Sequence, residues 1–320
     1  IIMILSIASI PDQLLHMINQ KTHEEITVCD YNTNKEEALK LIPEAEILIT
    51  WGAPVNNGLF NEIDDFNFKW LFSLSVGVEK MPFDRLIAKG TTVSNIKGVL
   101  NSNIAEQVLG VMISFSRNLK KSLINQKNKY WQKPLEVNEL IGKTLCIIGT
   151  GSIGSDIAKR AKAFDMNIVG VDLFPREVPN FDKVYPMDSL HQVLSTADYC
   201  ITMTPLTKET YHLIGEKEFN AMKDSCIFMN FSRGDVIDEK SLISALKNNK
   251  IAGAGLDVFH TEPLNEENPL WDMENVIITP HCAGDSPLVL ERAMKLFADS
   301  LILYRNGQQI PNIVDLNRGY

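Results

Sequence analysis

The sequence has little that would place it around a metal, in a membrane or on a nucleic acid. Its five cysteines, Cys29, Cys146, Cys200, Cys226 and Cys282, include no Cys-x-x-Cys pair, so the usual zinc spacings are missing and no metal is expected. Cys146, Cys200 and Cys226 fall in apolar runs, where free thiols are buried, and a reducing cytoplasm is the expected compartment. The N-terminal apolar stretch, Ile1 to Ile7, is far short of the roughly 20 residues that span a bilayer. Pro11 and Asp12 follow soon after it, and it reads as a buried first strand. No block of like charge forms a tail or a lipid-binding patch, and a net charge of −9 argues against a nucleic-acid surface. Internal repeats, low-complexity segments and long flexible linkers are also missing.

What is present is 320 residues of ordinary globular composition, 45% hydrophobic and 22% charged. That length exceeds what one compact core usually holds, so two domains are expected. Both read as doubly wound α/β with parallel sheets, because short buried-type apolar runs alternate with segments of helical spacing. In the first half the runs are Met3 to Ala8, Glu25 to Cys29, Ala45 to Thr50, Lys69 to Leu74 and Thr91 to Asn95. In the second they are Lys143 to Ile148, Asn167 to Val171, Ala197 to Met203, Ser225 to Asn230, Ile251 to Val258 and Asn275 to Thr279. A long helix is predicted from about Ile104 to Asn128, passing from one domain to the other. A last helix, Pro287 to Gln308, is predicted to return to the first. The expected division is 1–99 with 286–320 as a smaller α/β domain, and 100–285 as a larger one.

The glycine-rich stretch Gly149-Thr-Gly151-Ser-Ile-Gly154 stands between the apolar run that ends at Ile148 and a helical pattern over Ser152 to Phe164. Strand, glycine turn and helix together make a phosphate cradle. The turn lets backbone approach a pyrophosphate, free N–H groups at the helix start, around Ser152 and Ile153, hold its charge, and the last glycine permits close helix–strand packing. Asp172 closes the next strand 18 positions after Gly154, where an acid that accepts from the ribose hydroxyls is expected. An acid there repels a 2′-phosphate, so NAD is expected rather than NADP. Arg176, four residues on, is the opposing signal.

In such sheets ligands lie beyond the carboxyl ends of the strands. The segments that close the later runs are Thr204-Pro205, Asn230-Phe-Ser-Arg233-Gly234, Gly255-Leu-Asp257-Val-Phe-His-Thr-Glu262-Pro263 and Thr279-Pro280-His281-Cys-Ala-Gly284. A strand-end Arg, a Glu in a turn and a His in a loop are each commonplace when taken singly. In this order, the last three segments resemble the catalytic motifs of the D-isomer-specific 2-hydroxyacid dehydrogenases. Pro205-Leu-Thr-Lys-Glu-Thr210, Ala105-Glu106 and Ser75-Val-Gly77-Val-Glu79 are similar to further motifs of that family, so the resemblance spans nearly the whole chain.

The resemblance implies an oxidoreductase that moves a hydride between NAD(H) and a small 2-oxo or 2-hydroxy acid of D configuration, with glyoxylate and hydroxypyruvate as leading substrates. His281 would be the acid that protonates the carbonyl oxygen, and Glu262 the carboxylate that favours its imidazolium. Arg233 would pair with the substrate carboxylate, which suits a permanently charged fork of donors. Backbone N–H groups at Val76, Gly77 and Val78 would bind that carboxylate too. Asp257 would accept from the nicotinamide carboxamide, and Thr204 and Pro205 would line the adenosine side. The resemblance also implies that 1–99 with 286–320 is a flavodoxin-like substrate domain, that 100–285 is a Rossmann dinucleotide-binding domain, and that the protein is a homodimer through the cofactor domain and the long helix. The competing reading is an NADH-sensing corepressor of the same architecture with little turnover, because fold alone does not establish chemistry.

Overall fold

The computed structural model describes residues 2–56, 58–63 and 65–320; Ile1 of the expected first strand, with Asn57 and Asp64, lies outside the described residues. The first part of the chain forms β1 (Ile4–Ser6), α1 (Asp12–Thr22), β2 (Ile26–Val28), α2 (Lys35–Leu41), β3 (Ile47–Thr50), α3 (Gly52–Asn56), β4 (Trp70–Ser73), α4 (Phe83–Lys89) and β5 (Thr92–Asn95). Next come α5 (Asn101–Ser116), α6 (Leu119–Lys127), β6 (Thr144–Ile148), α7 (Ser152–Ala161), β7 (Asn167–Asp172), β8 (Lys183–Pro186), α8 (Leu190–Leu194) and β9 (Tyr199–Thr202). The chain ends through α9 (Glu216–Ala221), β10 (Ile227–Asn230), α10 (Glu239–Lys247), β11 (Gly253–Leu256), β12 (Val276–Ile278) and α11 (Val289–Arg305). Backbone contacts divide it into two units, Ile1–Val99 with Ser286–Tyr320, and Leu100–Asp285.

The first unit holds a five-stranded parallel sheet in the order β2-β1-β3-β4-β5, the flavodoxin-like winding. Strands β1, β3 and β4 are buried at every position, as a parallel sheet covered on both faces requires. Trp70 of β4 ties the last helix to this sheet. Its ring stacks on Phe297 of α11 with centroids 5.2 Å apart, and its indole N–H donates to Ser94 Oγ at 2.8 Å, which satisfies the one polar atom of a fully buried side chain.

The second unit holds a seven-stranded parallel sheet in the order β12-β11-β10-β9-β6-β7-β8. This is the Rossmann order with one added edge strand. Helix α5 lies close against β11 because that strand carries glycines: a Cβ at Gly255 would sit 2.5 Å from a methyl of Val111. The long helix expected from Ile104 to Asn128 is two helices, both inside this unit. Asn118 takes a left-handed conformation at φ 52° and ends the run of α-helical hydrogen bonds between α5 and α6. Strand β8 is unforeseen, since an edge strand that is half exposed and ends at Pro186 shows no apolar run. Among the described residues, no helix is long and apolar enough to cross a membrane.

Candidate active site

The turn after β6 is built by what its glycines exclude. Gly149 has φ +99°, and a Cβ there would lie 2.7 Å from the Met203 carbonyl oxygen; one at Gly154 would lie 2.3 Å from the Gly149 carbonyl oxygen. These two glycines are demanded by the packing of the chain on itself. Gly151 differs, because a Cβ there would meet nothing within 4 Å. It stands exposed at the N-cap of α7. The first intrahelical bond there runs from Ser155 N to Gly151 O. Ser152, Ile153 and Gly154 therefore present the unpaired N–H groups and positive dipole end of a helix start.

Asp172, at the end of β7, is held against this turn. Its Oδ2 accepts from the backbone N–H of Thr150 at 2.8 Å and from the Thr150 hydroxyl at 2.7 Å, while Oδ1 accepts from Phe174 N at 3.0 Å. Burial pushes its pKa up, but these bonds and the nearby Arg176 charge outweigh burial and leave it below the ordinary aspartate value. A carboxylate has about four acceptor positions, so three internal donors leave capacity for about one more. Thr150 is a residue that sequence reasoning missed; it occupies the variable position of the glycine fingerprint. Across the turn, Thr204 follows β9, and its hydroxyl oxygen is buried with no hydrogen-bond partner among the described residues. The carbonyl of Pro205 accepts from Thr210 Oγ1 at 2.6 Å, closing the Pro205 to Thr210 segment on itself.

Arg233, Glu262 and His281 come from loops after β10, β11 and β12, and the fold gathers them. His281 Nδ1 and Glu262 Oε2 are 2.7 Å apart, and Glu262 Oε1 accepts from Phe259 N at 3.0 Å. The hydrogen bond to Glu262 raises the His281 pKa above its ordinary 6.5, against partial burial and the Arg233 charge. For Glu262, burial pushes upward, but the bonds from His281 and Phe259 and the charges of His281 and Arg233 prevail and hold it below the usual carboxylate value. The guanidinium is thus close enough to act on both partners. Arg233 Nη1 donates to Ser232 O at 2.7 Å, and the backbone carbonyl of Arg233 accepts from Asn230 Nδ2 at 2.9 Å.

His281 has φ 51°, a left-handed conformation uncommon for residues with a side chain. Asp257, buried at 2% exposure, enforces it. Its backbone carbonyl accepts from His281 N at 2.8 Å. Its carboxylate accepts from Thr279 Oγ1 at 2.6 Å and from the backbone N–H groups of Cys282 and Ala283, each at 3.1 Å. Behind Arg233, Asn230 Oδ1 accepts from Thr202 Oγ1 and Ser232 Oγ, both at 2.8 Å. Asn230, Ser232 and Thr279 lie inside the motifs, yet their support roles are invisible until partners from different strands are brought together.

In the first unit, the turn after β4 carries Val76, Gly77 and Val78. Asn95 Nδ2 donates to Val76 O at 2.9 Å, and Ser73 Oγ donates to Ser75 O at 3.0 Å. These bonds hold the carbonyl side of the turn.

A dinucleotide cradle, with an imidazole–carboxylate pair and a guanidinium at neighbouring strand ends, defines an oxidoreductase of the Rossmann class. Comparison with known proteins makes this specific: the model of the D-isomer specific 2-hydroxyacid dehydrogenase NAD-binding domain matches residues 109–283. The chain belongs to that family. It is 34% identical over 94% of its length to a D-3-phosphoglycerate dehydrogenase from Methanocaldococcus jannaschii, of which it spans 58%. It is 35% identical over 75% of its length to a glyoxylate reductase from Korarchaeum cryptofilum, of which that match covers 74%. A D-isomer specific 2-hydroxyacid dehydrogenase family protein from Aeromonas salmonicida superposes with a TM-score of 0.86 at 31% identity, over 98% of this chain and 99% of that one.

Proposed function

We propose that this protein is an NAD-dependent reductase of small 2-oxo acids, forming D-2-hydroxy acids, and that the hydrogen-bonded His281–Glu262 pair beside Arg233 carries the chemistry. With Nδ1 committed to Glu262, Nε2 is the nitrogen left to donate a proton to the substrate carbonyl oxygen. A pKa raised by Glu262 keeps His281 protonated further into the neutral range, as a proton donor for reduction requires. Arg233 pairs with the substrate carboxylate and counters charge developing on the carbonyl oxygen. In this reading unit 1 is the substrate domain, and the N–H groups of Val76, Gly77 and Val78 are its carboxylate donors.

The residues of the second unit fit a dinucleotide. The open approach at Gly151, the free first turn of α7 over Ser152 to Gly154, and the unpartnered Thr204 hydroxyl are the features such a ligand would use. When bound, the cofactor supplies the hydride. Asp172 accepts one ribose hydroxyl and disfavours a 2′-phosphate, so NAD is preferred over NADP. Pro205 lines the adenosine side, and the second oxygen of Asp257, with a single internal donor, accepts from the carboxamide. The relatives carry names of dehydrogenases and reductases, which favours catalysis over a purely sensing role. Glyoxylate and hydroxypyruvate are the substrates we favour. The buried thiols of Cys146, Cys200 and Cys226 suit a reducing cytoplasm.

The test is oxidation of NADH and NADPH against glyoxylate, hydroxypyruvate, pyruvate, 2-oxobutyrate and phenylpyruvate. Turnover with NADH, reduced about 10²- to 10⁴-fold in His281→Ala, is the expected result. Saturable NADH binding with no turnover on any of these acids would overturn the reductase reading and leave the sensor.

A further inference from the structure

The loop that aims Glu262 at His281 is fastened to the turn that carries Arg233, and the fastening runs through His260. Three contacts make the joint. First, the backbones touch: a Cβ on Gly234 would lie 2.0 Å from the carbonyl carbon and oxygen of Phe259 and 2.5 Å from His260 N. Second, His260 Nδ1 and Asp235 Oδ1 are 2.5 Å apart, joining the residue after Phe259 to the residue after Gly234. Third, Glu239 at the start of α10 accepts from His260 N at 3.1 Å through one oxygen and from Asn268 Nδ2 at 2.9 Å through the other.

The consequence reaches the acid pair through one amide. Phe259 N–H donates to Glu262 Oε1, leaving Oε2 for His281, so the Phe259–His260 backbone sets the direction of the Glu262 carboxylate. We propose that Asp235 and His260 form a positioning pair, which holds the Glu262 loop on the Arg233 turn and so keeps Glu262 aimed at His281. The charges facing His260 agree with this: its hydrogen bond to Asp235 and the field of Glu239 raise its pKa, with Lys240 opposing. Arg233 has separate support from Asn230 and Ser232. Loss of the pair therefore acts on the proton donor more than on carboxylate binding. The inference rests on the proposed reductase reading for its kinetic consequence but not for its structural one.

The experiment uses the full chain and the variants His260→Ala, Asp235→Asn, their double mutant, and His260→Asn, which keeps a donor toward Asp235. The first readout is the titration of the His281 ring by ¹⁵N NMR, which faces Glu262, Arg233 and Asp257 and needs no substrate. The expected result is a downward shift of the His281 pKa in His260→Ala and in Asp235→Asn, no further shift in the double mutant, and partial recovery in His260→Asn. The second readout is 2-oxo acid reduction. Here kcat falls about threefold to thirtyfold, within the span of ordinary couplings between contacting residues, with KM for the acid little changed and the alkaline limb of the pH profile moved down. An unmoved His281 titration in both single variants, or single-variant losses that simply add, would overturn the proposal. A wild-type protein that turns over no acid would instead overturn the reductase reading, while the ring titration still decides the pair.

Discussion

At Glu262 a single carboxylate divides between two jobs, one oxygen holding its own loop and the other holding an imidazole. The second job sets a pH dependence with a definite sign. Because Glu262 raises the His281 pKa, the protonated donor persists above pH 6.5, and the rate of reduction falls as pH rises through the raised value. Hydroxy-acid oxidation needs the neutral ring and runs the other way. Glu262→Gln removes the charge, so the alkaline limb of kcat/KM for reduction moves to lower pH; a limb that stays in place would show that Glu262 does not tune His281. At Asp172, hydrogen bonds to a charged acceptor contribute about 1.5–3 kcal/mol. Asp172→Asn is therefore expected to weaken NADH binding by about tenfold and to narrow the gap between NADH and NADPH. Direct titration of both cofactors checks this, and an unchanged ratio would remove Asp172 from cofactor choice.

At the scale of elements, the β6–α7 turn separates packing from binding. Gly154→Ala forces a methyl against the Gly149 carbonyl, and overpacking of this kind costs about 1–3 kcal/mol. The variant should melt several degrees lower. Gly151→Ala adds a methyl that meets no protein atom, so its Tm stays near the wild type while NADH affinity drops. Equal Tm losses in the two variants, with unchanged NADH affinity in Gly151→Ala, would show that the turn serves folding alone. The same turn shows how far local pattern reading goes. Strand, glycines and helix were legible because spacing and glycine chemistry are local. Thr150 was not, since its hydroxyl matters only through Asp172 on the next strand.

For the whole molecule, an exposed apolar surface awaits explanation. Leu119, Leu123 and Ile124 on α6 and Tyr130 and Trp131 after it are exposed, Trp131 at 90% and Leu123 at 64%. Single exposed apolar residues are ordinary, whereas contiguous apolar patches are where proteins associate. We expect a homodimer through this face. Leu123→Glu with Trp131→Glu should sediment as a folded monomer where the wild type sediments as a dimer; an unchanged sedimentation coefficient would exclude the face.

By itself the sequence determined most of the strands and helices and put the candidate site residues at strand ends, because periodicity, glycine turns and motif order are local and most apolar runs announce a strand. It did not show the break at Asn118, where one left-handed residue interrupts a continuous helical pattern, or β8, whose exposed edge has no apolar signature. Nor did it show who supports whom. Nothing in the sequence singles out His260, and Asp257 reads as a ligand for the cofactor. The tertiary structure joined His260 to Asp235 and surrounded the Asp257 carboxylate with donors from the His281 loop. Those partners lie 22 to 26 residues apart, and only the parallel sheet, which places successive strand ends side by side, brings them within hydrogen-bond reach.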